Sequence, residues 1–230
     1  ADEQLGVALA ALPDIDGDQR AELVIGCPAS QADGPAFFGA ARTFSLARGT
    51  CLHSALGSRP TGTDAFAERL CALGDVDGDG KADVAVSAWR ALGGRGLVEI
   101  HSGASGARIT RIEGLPTDPP GLGARLVAAG DVDGDGRGDV AVGGLAGETS
   151  VFAGPDGVLL ARFAGTPIAL TADLDGDGLH DLLVLDGPPR DVALRASPKH
   201  LAARAVSIRS GASLLELVPP GDLAALDAQG

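Results

Sequence analysis

The chain has 230 residues, 45% of them hydrophobic, enough to bury a sizeable core, although Tyr and Met are absent and aromatics make up only 3%. Its 31 acids against 18 Lys and Arg give a net charge of −13, and the scattered basic residues exclude a nucleic-acid footprint. No apolar run nears the length of a membrane span.

In chain order, the first element is an acidic loop, Asp14-Ile-Asp16-Gly-Asp18-Gln-Arg20-Ala-Glu22, that leads directly into the apolar run ELVIG. A connection follows over Ser30–Ala41, and Thr43–Leu52 reads as a hairpin. The second loop, Asp75-Val-Asp77-Gly-Asp79-Gly-Lys81-Ala-Asp83, opens the run DVAVS and is followed by a hairpin over Val98–Ile109. The third, Asp131-Val-Asp133-Gly-Asp135-Gly-Arg137-Gly-Asp139, opens DVAVG, with a hairpin over Ser150–Leu160. The fourth, Asp173-Leu-Asp175-Gly-Asp177-Gly-Leu179-His-Asp181, opens DLLVL; a connection over Pro188–Ala203 separates it from a hairpin over Val206–Leu217. Both connections are rich in Gly, Pro and Arg and suit surface insertions. The apolar runs are short, rich in β-branched residues and flanked by small ones, so they read as buried strands. The loops begin 61, 56 and 42 residues apart, the spacing of stacked supersecondary units.

Each loop carries acids at positions 1, 3, 5 and 9. Carboxylates so close together resist ionisation unless a cation sits among them. Calcium takes six to eight oxygens, and a tight loop supplies them from alternate side chains and one backbone carbonyl. That carbonyl belongs to position 7, which is Arg20, Lys81, Arg137 or Leu179. Gly80, Gly136 and Gly178 at position 6 permit a turn with positive φ. An EF-hand would need a bidentate Glu at position 12 on a helix; here position 12 is Ile25, Val86, Val142 or Val184, inside the strands. The pattern predicts strand–loop–strand calcium sites, three to four ions in all. The first loop departs from it: Gln19 replaces the glycine, at a cost of about 1 kcal/mol, and Glu22 replaces the last Asp. Solvated Asp-Gly turns are the alternative reading. The loops hold 16 of the 31 acids, so the acidity belongs to these sites and gives no evidence for a basic partner.

These loops, with hairpins reading Val98-Glu-Ile-His-Ser-Gly103-Ala-Ser-Gly106 and Val206-Ser-Ile-Arg-Ser-Gly211-Ala-Ser, resemble the FG-GAP repeats of integrin α-chain β-propellers and many bacterial extracellular proteins. The FG and GAP words survive only as Phe66-Ala67, Leu122-Gly123 and Gly26-Cys27-Pro28. The resemblance implies an all-β propeller in one domain, 1–230, made of four-stranded antiparallel blades at about 1–60, 61–115, 116–166 and 167–220. Each calcium loop would join a blade's first and second strands. Four blades form either a closed four-blade ring or a partial propeller completed by another copy or chain; whole repeat units favour the self-contained ring. A chain that starts at Ala1 fits a processed secreted protein or an excised domain, and extracellular calcium would fill such sites. A secreted, extracellular or periplasmic location follows as an expectation.

The function expected is a protein-interaction, adhesion or scaffold module with a protein partner. The alternatives are a carbohydrate-binding or polysaccharide-processing propeller, or a subunit of a homo-oligomer or larger assembly. Enzymatic signals are weak. Cys51-Leu-His53 lacks a third orienting group. Ser105 lies in Gly-Ala-Ser-Gly, repeated near Ser213, and reads as a hairpin turn rather than a nucleophile elbow. His53, His101, His180 and His200 have no metal-binding spacing, and His180 is expected to face solvent. Cys27, Cys51 and Cys71 allow one disulfide or three buried small side chains.

Overall fold

A computed structural model describes residues 4–30, 39–57, 64, 66–187 and 203–217. Four sheets follow one another along the chain, each of four antiparallel strands. The first contains β1 (Leu9–Leu12), β2 (Glu22–Cys27), β3 (Ala40–Ser45) and β4 (Thr50–Leu56). The second contains β5 (Leu70–Ala72), β6 (Val84–Ser87), β7 (Leu97–His101) and β8 (Arg108–Glu113). The third contains β9 (Arg125–Gly130), β10 (Asp139–Gly143), β11 (Glu148–Phe152) and β12 (Leu159–Ala164). The fourth contains β13 (Thr166–Leu170), β14 (Leu182–Leu185), β15 (Ala203–Val206) and β16 (Ser213–Leu217). In each, the acidic loop joins the first strand to the second. Most of both expected insertions lies outside the described residues; β3 begins at Ala40 and β15 at Ala203.

The strands β6 and β10 are buried at every position, because both of their faces are covered, and such strands need no polar alternation. Residues one and three places beyond the last loop acid face the preceding blade: Val84 and Val86 join the core shared with Leu12 and Val24. Val140 and Val142 likewise pack with Val98 and Ile100, and Leu182 and Val184 with Val127 and Val151. The residue between them, Ala85 or Ala141, faces the following blade. Three apolar cores therefore join four blades in series. Among the described residues no fourth apolar cluster joins the last blade to the first.

All four outer hairpins share one turn and one irregularity. Gly49, Gly106, Gly157 and Gly211 each donate a backbone hydrogen bond four residues back, to Ser45, Ser102, Ala153 and Ser207 at 2.8–2.9 Å. Each third strand slips by one residue against the fourth, at Thr43/Phe44, Ile100/His101, Val151/Phe152 and Ala205/Val206. This corrects the match of the two Gly-Ala-Ser words. Gly211 occupies the place of Gly106, Ser210 that of Ser105, and Ser213 already begins β16. Ile208 and Leu46 thus stand where the second and third blades have Gly103 and Gly154.

Cys51 and Cys71 are free thiols, which leaves no pair among the three cysteines bridged. Burial pushes the Cys71 thiol up to about 11, so it behaves as a small apolar residue.

Candidate metal centres

The backbone of the four loops is nearly superimposable in its hydrogen bonds. The position-1 carboxylate receives the N–H groups of positions 4 and 6: Gly17 (2.6 Å) and Gln19 (2.8 Å) to Asp14, Gly78 (2.6 Å) and Gly80 (2.9 Å) to Asp75. Gly134 (2.8 Å) and Gly136 (2.9 Å) bind Asp131 in the same way, and Gly176 (2.7 Å) and Gly178 (3.0 Å) bind Asp173. These bonds favour the charged form, and they hold Asp14 and Asp173 below the ordinary carboxylate range, led by the Gln19 and Gly178 amides respectively. The position-3 acids Asp16, Asp77, Asp133 and Asp175 receive the position-5 N–H at 3.1–3.2 Å. The position-5 acids Asp18, Asp79, Asp135 and Asp177 receive the position-7 N–H of Arg20, Lys81, Arg137 and Leu179 at 2.8–2.9 Å. Gln19 adopts φ +68°, beside +82° at Gly80 and Gly136 and +88° at Gly178, so the first loop keeps the shared turn despite its side chain.

Position 9 is different in kind. Glu22, Asp83, Asp139 and Asp181 are all buried, and burial raises each above its ordinary value, Asp83 to about 6. One oxygen of each accepts the position-2 N–H: Ile15 (2.8 Å), Val76 (2.7 Å), Val132 (2.7 Å) and Leu174 (2.7 Å). In the middle blades the second oxygen is also used, by Gly103 N–H at 2.9 Å and Gly154 N–H at 3.0 Å. Those glycines approach so closely that a Cβ would lie 1.9 Å from the Ala82 carbonyl oxygen or 2.0 Å from that of Gly138. Leu46 and Ile208, which carry a Cβ, cannot make that approach. Accordingly Glu22 Oε1 and Asp181 Oδ1 are buried and accept no hydrogen bond.

Ligand oxygens lie within 4.8 Å of one another at Asp14, Asp16, Asp18 and Glu22; at Asp75, Asp77 and Asp83; at Asp131, Asp133 and Asp139; and at Asp173, Asp175 and Asp181. Positions 1, 3 and 9 converge in every loop, whereas position 5 joins them only in the first, through Asp18. Asp79, Asp135 and Asp177 stand outside these groups. Hard carboxylate oxygens converging in a loop, two of them buried without a donor, fit a calcium ion. Asp14, Asp16, Asp18 and Glu22 would hold it in the first loop, and the position-1, -3 and -9 acids in the others.

The position-7 side chains have a second role that the ligand pattern did not reveal. Lys81 Nζ donates to the carbonyl oxygen of Asp14 at 3.4 Å, and Arg137 Nη1 to that of Val76 at 2.8 Å, so each loop is tied to the loop of the preceding blade. A basic residue at position 7 in three of four loops was the available signal. Other charges near the loops are Arg48, 2.8 Å from Asp16, and Arg209, 3.4 Å from Asp177. His180 is exposed and shares a 2.8 Å hydrogen bond with the Thr171 carbonyl.

Away from the loops, Glu99 is buried beside the first blade with His101 Nε2 at 3.1 Å, Arg108 at 3.1 Å and Arg111 at 3.5 Å. Burial alone would raise its pKa, but the His101 hydrogen bond and the two guanidinium groups hold it below the ordinary value. His53 Nε2 lies 2.7 Å from the Gly103 carbonyl oxygen, which uses its ring to join the first two blades.

Residues 66–98, the core of the second blade, match the FG-GAP repeat. Over 163 residues the chain is 33% identical to integrin alpha-V of Gallus gallus, a match covering 62% of this chain and 15% of that protein. The chain thus carries FG-GAP-type propeller blades and is distantly similar to an integrin α-chain, of which it spans a small part.

Proposed function

We propose that these FG-GAP-type blades form a calcium-braced propeller that binds a protein partner outside the cytoplasm. The observation that carries this reading is the fourfold convergence of carboxylates at the same junction between first and second strands, each group within 4.8 Å. An ion there neutralises acids that otherwise repel, and it pins each loop over the end of its blade. The cross-loop ties from Lys81 and Arg137 join the first three loops on the metal-bearing side, leaving the opposite side and the inserted connections for recognition. The distant likeness to integrin alpha-V supports a protein as the partner. The reading is of a binding module rather than an enzyme: the His53 and His101 rings are engaged in contacts that join or line a blade interface. Among the described residues no helix is long and apolar enough to cross a membrane.

Calorimetric titration of chelated protein tests the metal role. Three to four calcium ions should bind, melting temperature and protease resistance should rise, and Asp77→Ala should lower the stoichiometry by one. Absence of binding at millimolar calcium overturns the reading. Calcium-dependent retention on immobilised extracellular-matrix proteins, against a glycan array as the contrasting surface, tests the class of partner.

A further inference from the structure

We propose that the basic residue at loop position 7 is a built-in counter-cation for the loop of the preceding blade, so that the third loop, which no such cation meets, takes up calcium ahead of the second. This rests on the calcium reading above.

The second and third loops are a matched pair. Their sequences differ only at positions 7 and 8, Lys81-Ala82 against Arg137-Gly138. Positions 1, 3 and 9 converge in both, through Asp75, Asp77 and Asp83 and through Asp131, Asp133 and Asp139. In each, position 1 takes the N–H groups of positions 4 and 6. In each, position 9 is satisfied twice, by Val76 and Gly103 or by Val132 and Gly154. What differs is the side chain that leans on each loop from the blade that follows. Arg137 Nη1 donates to the Val76 carbonyl at 2.8 Å. Its guanidinium lies against Gly78, where a Cβ would be 3.1 Å from Nη2 and 3.2 Å from Nη1. Gly78 stands between Asp77 and Asp79, so a fixed positive charge is held over the acids of the second loop. The fourth blade has Leu179 at the corresponding position, and among the described residues no Lys or Arg bonds or pairs with the third loop. The ring of His180 lies beside Gly130, just before that loop, and shares its hydrogen bond with the Thr171 carbonyl. Both loops are followed by a blade of this chain, so the contrast is independent of what lies beyond residues 1 and 230.

A cation beside clustered carboxylates has two opposite effects. Without metal it offsets their mutual repulsion and steadies the loop; with metal it repels the ion. A unit charge roughly 6–10 Å from a doubly charged ion weakens binding about three- to sevenfold in dilute salt, and screening shrinks the effect as salt rises. The second loop therefore stays ordered when calcium is scarce but fills late, whereas the third depends on the ion and fills early. Lys81 Nζ, 3.4 Å from the Asp14 carbonyl oxygen, stands in the same relation to the first loop as Arg137 to the second.

A calcium titration of the full chain followed by NMR tests this, because the Gly80 and Gly136 amides, each 2.9 Å from its position-1 carboxylate, report the two loops separately. It is run in dilute salt at pH 8, where an ordinary histidine is neutral and Asp83, pushed up to about 6, is ionised. The Gly136 amide should reach its midpoint at about three- to sevenfold less calcium than the Gly80 amide, and added salt should narrow the gap. Arg137→Gln removes the charge but leaves the 2.9 Å bond from the Gly138 N–H to the Asp75 carbonyl, and it should bring the two midpoints together. Arg137→Lys should keep them apart, and Leu179→Arg should move the Gly136 midpoint to higher calcium. In chelator, Arg137→Gln should lower the melting temperature. Equal midpoints in the native protein, a second loop that fills first, or a Gly80 midpoint that Arg137→Gln leaves unchanged or raises overturns the proposal. If neither amide responds to millimolar calcium, the calcium reading itself fails and the proposal falls with it.

Discussion

Replacing Asp83 by alanine removes a buried carboxylate that ties the second loop to the end of its blade. Oδ2 holds the Val76 N–H at 2.7 Å and Oδ1 the Gly103 N–H at 2.9 Å. Alanine leaves both amides without their partner, and each buried unpaired group costs about 1–3 kcal/mol, so the chelated protein should lose roughly 2–6 kcal/mol. Relief of the desolvation that pushes Asp83 to about 6 offsets part of this and places the expected loss in the lower half of the range. Asp181 holds only the Leu174 N–H, so Asp181→Ala should cost about half as much, roughly 1–3 kcal/mol. Asp139→Ala should match Asp83→Ala, since it forfeits the Val132 and Gly154 bonds, and Asp83→Asn, with one acceptor oxygen left, should fall between. Urea unfolding in excess chelator, followed by circular dichroism, measures all four. Equal losses at Asp83 and Asp181 without metal would refute the argument that the middle position-9 acids serve the fold twice over.

Calcium binding at the second loop should depend on pH. Below about 6 Asp83 carries a proton that the metal must displace, so affinity at that loop should be about tenfold weaker at pH 5 than at pH 7. Without metal the sign reverses: the folded state holds that proton more tightly than the unfolded chain does. This group therefore adds stability to the chelated protein as pH falls from 6 toward 4 and withdraws it as pH rises through 6. Calorimetry at both pH values checks the first statement, and a pH-independent affinity for that loop contradicts it. Gln19→Gly should stabilise the protein by about 0.5–1 kcal/mol, the left-handed penalty less glycine's added entropy; an unchanged or lower urea midpoint would count against strain in the first loop. Glu99→Ala should cost about 1–3 kcal/mol by leaving the buried His101 Nε2 without its carboxylate partner, Arg111 keeping its 2.7 Å pair with Glu113, read as a fall in melting temperature in calcium and chelator alike.

The four acidic loops and the strands behind them were legible because their chemistry is local. Alternate aspartates fix which oxygens can converge, and an unbroken apolar run such as DVAVG fixes a strand covered on both faces. What stayed hidden depends on neighbours. Phe66-Ala67 and Leu122-Gly123 were visible as worn family words, but their work as plugs in the preceding blade needs the close backbone approach at Gly26, where a Cβ would meet the Ala67 carbonyl at 2.1 Å. The Gly-Ala-Ser repeat misled for a related reason. A sequence word aligns by identity, whereas the hairpin aligns by its 2.8 Å turn bond, and that bond places Gly211 with Gly106.

That realignment also makes the four loops unequal. Position-9 acids at Asp83 and Asp139 are satisfied by glycine amides even without metal, so the middle blades have a polar tie that the end blades lack. Leu46 and Ile208 deny Glu22 and Asp181 the same partner and leave one buried oxygen of each without a donor. A buried carboxylate oxygen with no hydrogen bond is costly unless a cation meets it. Calcium should therefore matter most to the stability of the first and last blades. On this argument, chelation loosens the two ends of the chain before its middle. Hydrogen exchange should show amides of β2 and β14 losing protection in chelator ahead of those in β6 and β10, and simultaneous loss across all four strands would refute it.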